Sequence, residues 1–328
     1  MKDILNYLFG LNTLSTEKAY TILGEIAEGR YSNEEVASFM TVFKMRPITV
    51  EELLGFRDCL RDRSIPVDLR GMDAIDMCGT GGDGRNTFNI STIASFIVAG
   101  AGYKVAKHGN YGVSSICGSS NVMEELGYNF SNDENDLLKQ LDECNICFLH
   151  APLFHPAMKA VGPIRKNLGV ATFFNMLGPM VNPSRPEKQL VGVFSLELQR
   201  YYKYIYESTQ INYQIVHSLD GYDEISLTSD AKVINPHEDK IMQPNDFGFE
   251  YLNHIDLSGG HTLKDAAEIF VKILNGDGTL SQNAAVLSNA ALGIQCFKPE
   301  KELGDCLEEA RESLHSGAAV NALKKLVS

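Results

Sequence analysis

The run Asp76-Met77-Cys78-Gly79-Thr80-Gly81-Gly82-Asp83-Gly84 follows a short apolar stretch and precedes a helical pattern. Glycines at this density let the backbone take positive φ and turn successive N–H groups into one concavity, which suits an anion. Asn89-Ile90-Ser91-Thr92 stands where the next helix should begin, so helix amides and hydroxyls add further donors for phosphate. Gly79, Gly81 and Gly84 also satisfy G-x-G-x-x-G. A dinucleotide loop, however, wants an acid about twenty residues further on for the ribose, and none is present. A Walker A loop needs a Gly-Lys pair, which the chain lacks.

Lys107-His108-Gly109-Asn110 closes the next strand pattern, at the edge where α/β sheets place ligands. Lys107 offers a mobile point charge for phosphate. His108 suits either a strand-end hydrogen bond or a chemical role. Ser114-Ser115 and Gly118-Ser119-Ser120-Asn121 continue as a second loop rich in small donors. Further on, Asp220-Gly221-Tyr222-Asp223-Glu224 puts adjacent carboxylates at a loop end. Alone this reads as a solvated turn. Beside a phosphate cradle it suits Mg²⁺, which binds through one or two acids plus phosphates and water. Arg165 lies among Gly/Pro-punctuated segments that could present its guanidinium fork to a carboxylate. His150 and His155 have no acid or cysteine beside them, so packing and loop shaping are expected rather than a metal. Cys144 and Cys147 run into an apolar stretch and read as buried thiols.

The 328 residues carry 29 Lys+Arg against 42 Asp+Glu, a net charge of −13. That balance argues against nucleic acid as the main partner, because phosphate neutralisation needs a basic face. Positions 84–123 and 144–186 nevertheless contain no acid, while Arg85, Lys104, Lys107, Lys159, Arg165, Lys166 and Arg185 supply cations. If these segments converge they make a positive cleft on a negative protein. Seven irregularly spaced cysteines do not read as a disulfide scaffold and fit a reducing compartment. The N-terminus reads as no signal peptide, and the uncharged stretch 86–103 contains too much Asn, Ser, Thr and Gly to span a membrane, so the cytoplasm is expected.

Elements must position these groups. The first sixty-odd residues read as short amphipathic helices, with starts at Ser15, Ser32 and Thr49 and apolar stripes at Ile22, Leu23, Ile26 and at Val36, Phe39, Met40, Phe43. From Met72, strand-length runs alternate with helical patterns. Strands are expected at 74–77, 103–106, 146–149, 190–194, 211–216, 224–227 and 232–234, with helices near 91–101, 134–143 and 197–207. This predicts an α/β sheet, largely parallel, with an antiparallel portion near 224–234. Helices at 262–274, 281–296 and 300–325 complete the chain.

In order and spacing, Cys78 to Asp83, residues 89–92, Lys107 to Asn110, Gly178-Pro179 with Asn182-Pro183, and Asp223-Glu224 together resemble the anthranilate phosphoribosyltransferase family. The resemblance covers nearly the whole chain. It implies a homodimer formed through a small N-terminal helical domain, residues 1–69 joined by a central segment near 160–185. A large α/β domain, 70–328, would carry a mostly parallel central sheet of the nucleoside phosphorylase/phosphoribosyltransferase type. The implied reaction joins anthranilate to 5-phosphoribosyl 1-pyrophosphate (PRPP), giving N-(5-phosphoribosyl)anthranilate and pyrophosphate, the second step from chorismate to tryptophan. By matching position, Gly79, Gly82, Asp83, Thr87, Asn89, Ile90, Ser91, Thr92, Lys107 and Ser119 would hold PRPP. Gly79, His108, Asn110 and Arg165 would line the anthranilate path, with His108 a candidate for substrate positioning. Ser91, Asp223 and Glu224 would bind two Mg²⁺ per subunit. An aromatic amine is neutral and nucleophilic at pH 7, so inversion at C1 without a covalent enzyme intermediate or an obligatory strong base is expected. Tyr111 and Ala171 stand where the family commonly has arginine, which lowers the local cation count at two places, while Cys117 replaces a frequent serine and Ser120 and Asn121 replace Ala-Asp. A pyrimidine nucleoside phosphorylase-like enzyme and a non-catalytic nucleic-acid-binding relative of the same fold are the competing readings.

Overall fold

The computed structural model describes residues 1–112 and 117–328. Ser114 and Ser115 of the second donor loop lie outside the described residues. The chain forms two units: residues Met1–Val67 with Ala151–Pro183, and Asp68–His150 with Ser184–Ser328.

The first unit is helical. Helices span Lys2–Phe9, Thr16–Ala27, Asn33–Met45, Val50–Asp62 and Met158–Leu168. Ser15 caps the second through the Lys18 N–H, while Ser32 with Glu35 and Thr49 with Glu52 form reciprocal capping boxes. Phe39 and Phe43 meet Phe56 edge-on, and Phe56 stacks on Phe173 at 4.4 Å, so the central segment completes a core the N-terminal helices begin. Gly55 allows the close approach, because a Cβ there would stand 2.3 Å from the Thr16 carbonyl. His155 is buried in this unit, and burial pushes its imidazole down to about 4 despite bonds to the main chain of Val181 and Leu60. A depressed histidine stays neutral when folded and takes a proton when unfolded. Stability is therefore full above pH 6.5 and falls as pH drops towards 4, by at most about 3 kcal/mol. Urea titrations at pH 7 and pH 4.5 should show that loss, and His155→Gln should flatten it.

The second unit is a seven-stranded sheet: β1 (Ala74–Gly79), β2 (Lys104–Gly109), β3 (Ile146–His150), β4 (Lys188–Gly192), β5 (Asn212–Ser218), β6 (Ala231–Ile234) and β7 (Asp239–Met242). Their order is β3-β2-β1-β4-β5-β6-β7. The first five run parallel, β6 is antiparallel to β5, and β7 is antiparallel to β6. β1 pairs with β4 as far as Gly79 opposite Gly192, but with β2 only at Ala74–Lys104 and Ile75–Val105. The helix Ile90–Gly100 is buried along nearly its whole length and packs against the helix Leu280–Gln295, which explains its lack of charged residues. No helix of the described residues is long and apolar enough to cross a membrane.

Two expected elements differ. Residues 224–227 form no strand. Ser218 Oγ donates to the Glu224 carbonyl, Asn289 Oδ1 accepts the Ile225 N–H and its amide donates to the Ile225 carbonyl, and Leu227 has φ +60°. Side chains satisfy the main chain that a ladder would otherwise need. The final helix is two, Leu303–His315 and Ala318–Leu326, separated at Gly317, whose φ of +80° a continuous helix does not permit.

Candidate active site

The chain steps outward from β1 to β2 and β3 on one side and from β4 to β5 on the other, so its switch point lies between the carboxyl ends of β1 and β4. The glycine loop leaves β1 there. Gly81, Gly82 and Gly84 take φ of +62°, +81° and +70°. The Thr80 N–H donates to the Gly192 carbonyl at 2.9 Å, which ties the loop to β4.

The 223–224 turn enters the same place. The Asp223 carboxylate accepts the Gly81 N–H at 2.7 Å, and Glu224 Oε1 accepts the Ser91 N–H at 2.9 Å. Two donors expected for phosphate, one in the loop and one at the start of the helix Ile90–Gly100, thus face carboxylates. Asp223 fits only because Gly79 and Gly192 lack side chains: a Cβ would stand 2.3 Å from Asp223 Oδ2 at Gly79 and 1.5 Å from its carbonyl oxygen at Gly192. The sequence reading passed over Gly192, although a glycine inside an apolar strand is a signal of close backbone approach.

Burial first, then the neighbouring Asp83 charge, pushes the Asp223 carboxyl up; burial and Asp223 do the same to Glu224. Asp83 is raised chiefly by burial, against the pull of the Arg85 N–H and guanidinium. Three acids therefore crowd one place with little compensating charge. Among the described residues no group of three metal-ligating side chains converges as a complete cage. Two acids open to further oxygen donors are what a magnesium–phosphate complex needs. Thr80 Oγ1 and Thr92 Oγ1 are buried without a protein partner, which leaves two hydroxyls for a ligand.

Lys107 departs from expectation. It is fully buried at 1% exposure and donates to the Met77 carbonyl, so it is a fixed charge and not a mobile one. Burial lowers its pKa, opposed by the charges of Cys78, Asp76 and Glu224. The His108 N–H donates to the buried Asp76 carboxylate at 3.0 Å. The Asn110 carbonyl accepts from Ser119 Oγ and the Ser120 N–H, which folds the second donor segment back on β2; Ser119 opens a short helix, Ser119–Glu125. Thr87 bridges to Ser258, and Asn89 Nδ2 donates to the Cys117 carbonyl. Ile90 is wholly buried and can offer a ligand only its main chain. Gly82 is exposed in the loop.

The acid-free segments contribute less positive charge here than their composition suggests. Lys104 lies at the amino end of β2, where it donates to the Leu141 carbonyl and pairs with Asp142. Arg85 donates to the Asp220 carbonyl and packs over Tyr222, pinning the end of the glycine loop to the acidic turn. Two of the departures from the family pattern meet at His150: Tyr111 donates to Glu124 and meets His150 edge-on, Ser120 bonds His150 Nδ1, and His150 stacks on Phe130. His150 and His155 are both buried, as are Cys144 and Cys147. In the helical unit, Arg165 is half-buried, donates to Asn175 Oδ1 and lies over Phe174; burial alone lowers its pKa, with no neighbouring acid contributing.

Residues 71–320 match the a/b domain of a glycosyl transferase family, and residues 2–64 match its helical bundle domain. An anthranilate phosphoribosyltransferase from Flavobacterium johnsoniae is 56% identical over 99% of this chain and 98% of its own. This chain belongs to the anthranilate phosphoribosyltransferase family. The Saccharomyces cerevisiae anthranilate phosphoribosyltransferase in complex with PRPP and Mg superposes with a TM-score of 0.90 at 27% identity, covering 98% of this chain and 95% of that one. The same yeast protein in complex with 4-fluoroanthranilate gives 0.87 at 27% identity and the same coverage. These matches extend over nearly the whole of this chain.

Proposed function

We propose that this chain transfers the phosphoribosyl group of PRPP to the amino group of anthranilate, releasing pyrophosphate, in the second step of tryptophan biosynthesis from chorismate. The observation that carries this reading is the meeting of the glycine loop with Asp83, Asp223 and Glu224 at the switch point of the sheet, in a member of this family. The C1–O bond to pyrophosphate breaks with its electron pair leaving on oxygen, the amine lone pair forms the C1–N bond on the opposite face, and the ammonium proton is lost to solvent. The loop amides and the Thr80 and Thr92 hydroxyls bind and orient the phosphates, with the buried Lys107 ammonium a fixed charge behind them; Gly79, Gly82, Thr87, Asn89, Ile90 and Ser119 shape their seat. Ser91, Asp223 and Glu224 would hold two Mg²⁺, whose charge would serve to neutralise the leaving pyrophosphate. Arg165 takes the anthranilate carboxylate, and His108, Asn110 and Gly79 line its path.

The protein works as a homodimer in the cytoplasm, with no nucleic acid partner. The exposed Tyr7, Phe9 and Leu11 of the helical unit favour the dimer.

Mixing the protein with anthranilate, PRPP and Mg²⁺ should extinguish anthranilate fluorescence. Persistence of the signal with folded protein would overturn the reading, and phosphorolysis of thymidine or uridine would replace it. In the same assay Arg165→Gln should raise the KM for anthranilate about tenfold or more, with the KM for PRPP nearly unchanged.

A further inference from the structure

Among the described residues, the register of β1 with β2 is shorter than that of either strand with its other neighbour. Their pairing ends at Ile75 and Val105, although β1 continues along β4 to Gly79 and β2 along β3 to Gly109. Beyond that point the strands stay side by side, and two buried side chains cross between them in opposite directions. Asp76 on β1 accepts the His108 N–H of β2 at 3.0 Å, where a ladder would offer a main-chain carbonyl. Lys107 on β2 donates to the Met77 carbonyl of β1. Both are essentially inaccessible to solvent.

Burying an acid and an amine costs more than filling the same space with apolar groups, so a sheet needing only cohesion would do better with ladder bonds and hydrophobic side chains. Asp76 is also fixed from the other side. Its Oδ2 accepts the Gln189 amide of β4 at 3.2 Å, the Cys78 thiol lies 3.5 Å away, and Gln189 Oε1 in turn accepts the Tyr206 hydroxyl. One carboxylate therefore touches all three strands whose ends carry the glycine loop, the Lys107-His108-Gly109-Asn110 stretch and Gly192.

We propose that Asp76 is a positioning residue for the transfer: it holds the ends of β1 and β2 at a fixed separation and so sets the distance between the glycine loop and Lys107 to Asn110. This rests on the reaction proposed above. Asp76 touches neither substrate. Its contribution passes through the His108 main chain and the strand ends.

Asp76→Asn is nearly isosteric, but it removes the charge that faces Lys107 and sets an amide donor against either Gln189 Nε2 or the His108 N–H. The expected result is a rise in the KM for PRPP of about tenfold, with secondary structure and cooperative melting retained. Tyr206→Phe is the control, since it cuts the same buried network away from the β1–β2 crossing. It should lower the melting temperature and leave both KM values unchanged. A merely structural Asp76 would lower the melting temperature and the active fraction without moving KM, and that outcome overturns the proposal. Should Asp76→Asn not fold, hydrogen exchange on the unaltered protein decides. Mg²⁺ and PRPP should deepen protection of a peptide covering 104–109, and unchanged protection sinks the idea. If the unaltered protein consumes no anthranilate, the functional reading fails separately, and Asp76→Asn is then compared through calorimetric binding of PRPP with Mg²⁺.

Discussion

Asp223→Asn combined with Glu224→Gln lowers kcat/KM by at least about a thousandfold, roughly 4 kcal/mol of transition-state stabilisation, while the protein remains folded. Both replacements keep an oxygen able to accept the Gly81 and Ser91 N–H groups, so the two bonds that seat the turn survive. Only the charges disappear. In the folded protein those charges are crowded, with Asp83 and burial both working against Asp223, and Asp223 and burial against Glu224. Their removal should leave the melting temperature unchanged or raise it. A stable protein with no turnover, and with PRPP binding that no longer responds to added Mg²⁺ in calorimetry, is the expected pair of results. Full activity would mean that these acids hold no metal. A fall in melting temperature with activity lost in proportion would mean that they only fold the loop.

The glycine loop and the acidic turn were legible because their chemistry is written in short runs. Three glycines in four positions and a helix start carry their meaning locally, and the two adjacent acids take theirs from that phosphate cradle. What was not legible depends on partners distant in sequence. Residues 224–227 have the apolar residues of a strand, yet Asn289 and Ser218 take their main-chain groups, and nothing near 224 announces that. The cations of 84–123 can be counted in the sequence, but their placement cannot be read there. Lys104 is at the far end of its strand from the loop, and Lys107 turns inward onto the Met77 carbonyl. The break at Gly317 was hidden because a glycine within a helical pattern is tolerated unless its φ is positive, and sequence does not print φ. The early end of the β1–β2 register was hidden for a related reason. Lys107 reads as a ligand group and Asp76 as the start of the glycine run, and only the structure shows their side chains bonded across the two strands.

Gly192→Ala tests how tightly the two strand ends grip the acidic turn. Its added Cβ would stand 1.5 Å from the Asp223 carbonyl oxygen and 2.5 Å from the carbonyl carbon. Both atoms are main chain, so no side chain can swing away, and the turn itself must move by more than an ångström. That movement withdraws Asp223 from the Gly81 N–H and shifts Glu224 at the Ser91 N–H. Displacements of this size cost about a hundredfold in rate, and overpacking adds about 1–3 kcal/mol of lost stability. Gly127→Ala separates the two effects. Gly127 has φ +88°, and a Cβ there would meet no atom within 4 Å, so alanine is strained by about 1–2 kcal/mol yet collides with nothing. Both variants should melt earlier by similar amounts. Only Gly192→Ala should lose activity in the folded protein and bind PRPP without its usual response to Mg²⁺. Equal activity in the two would show that the turn tolerates displacement, and that the close approach of Gly79 and Gly192 to Asp223 serves packing alone.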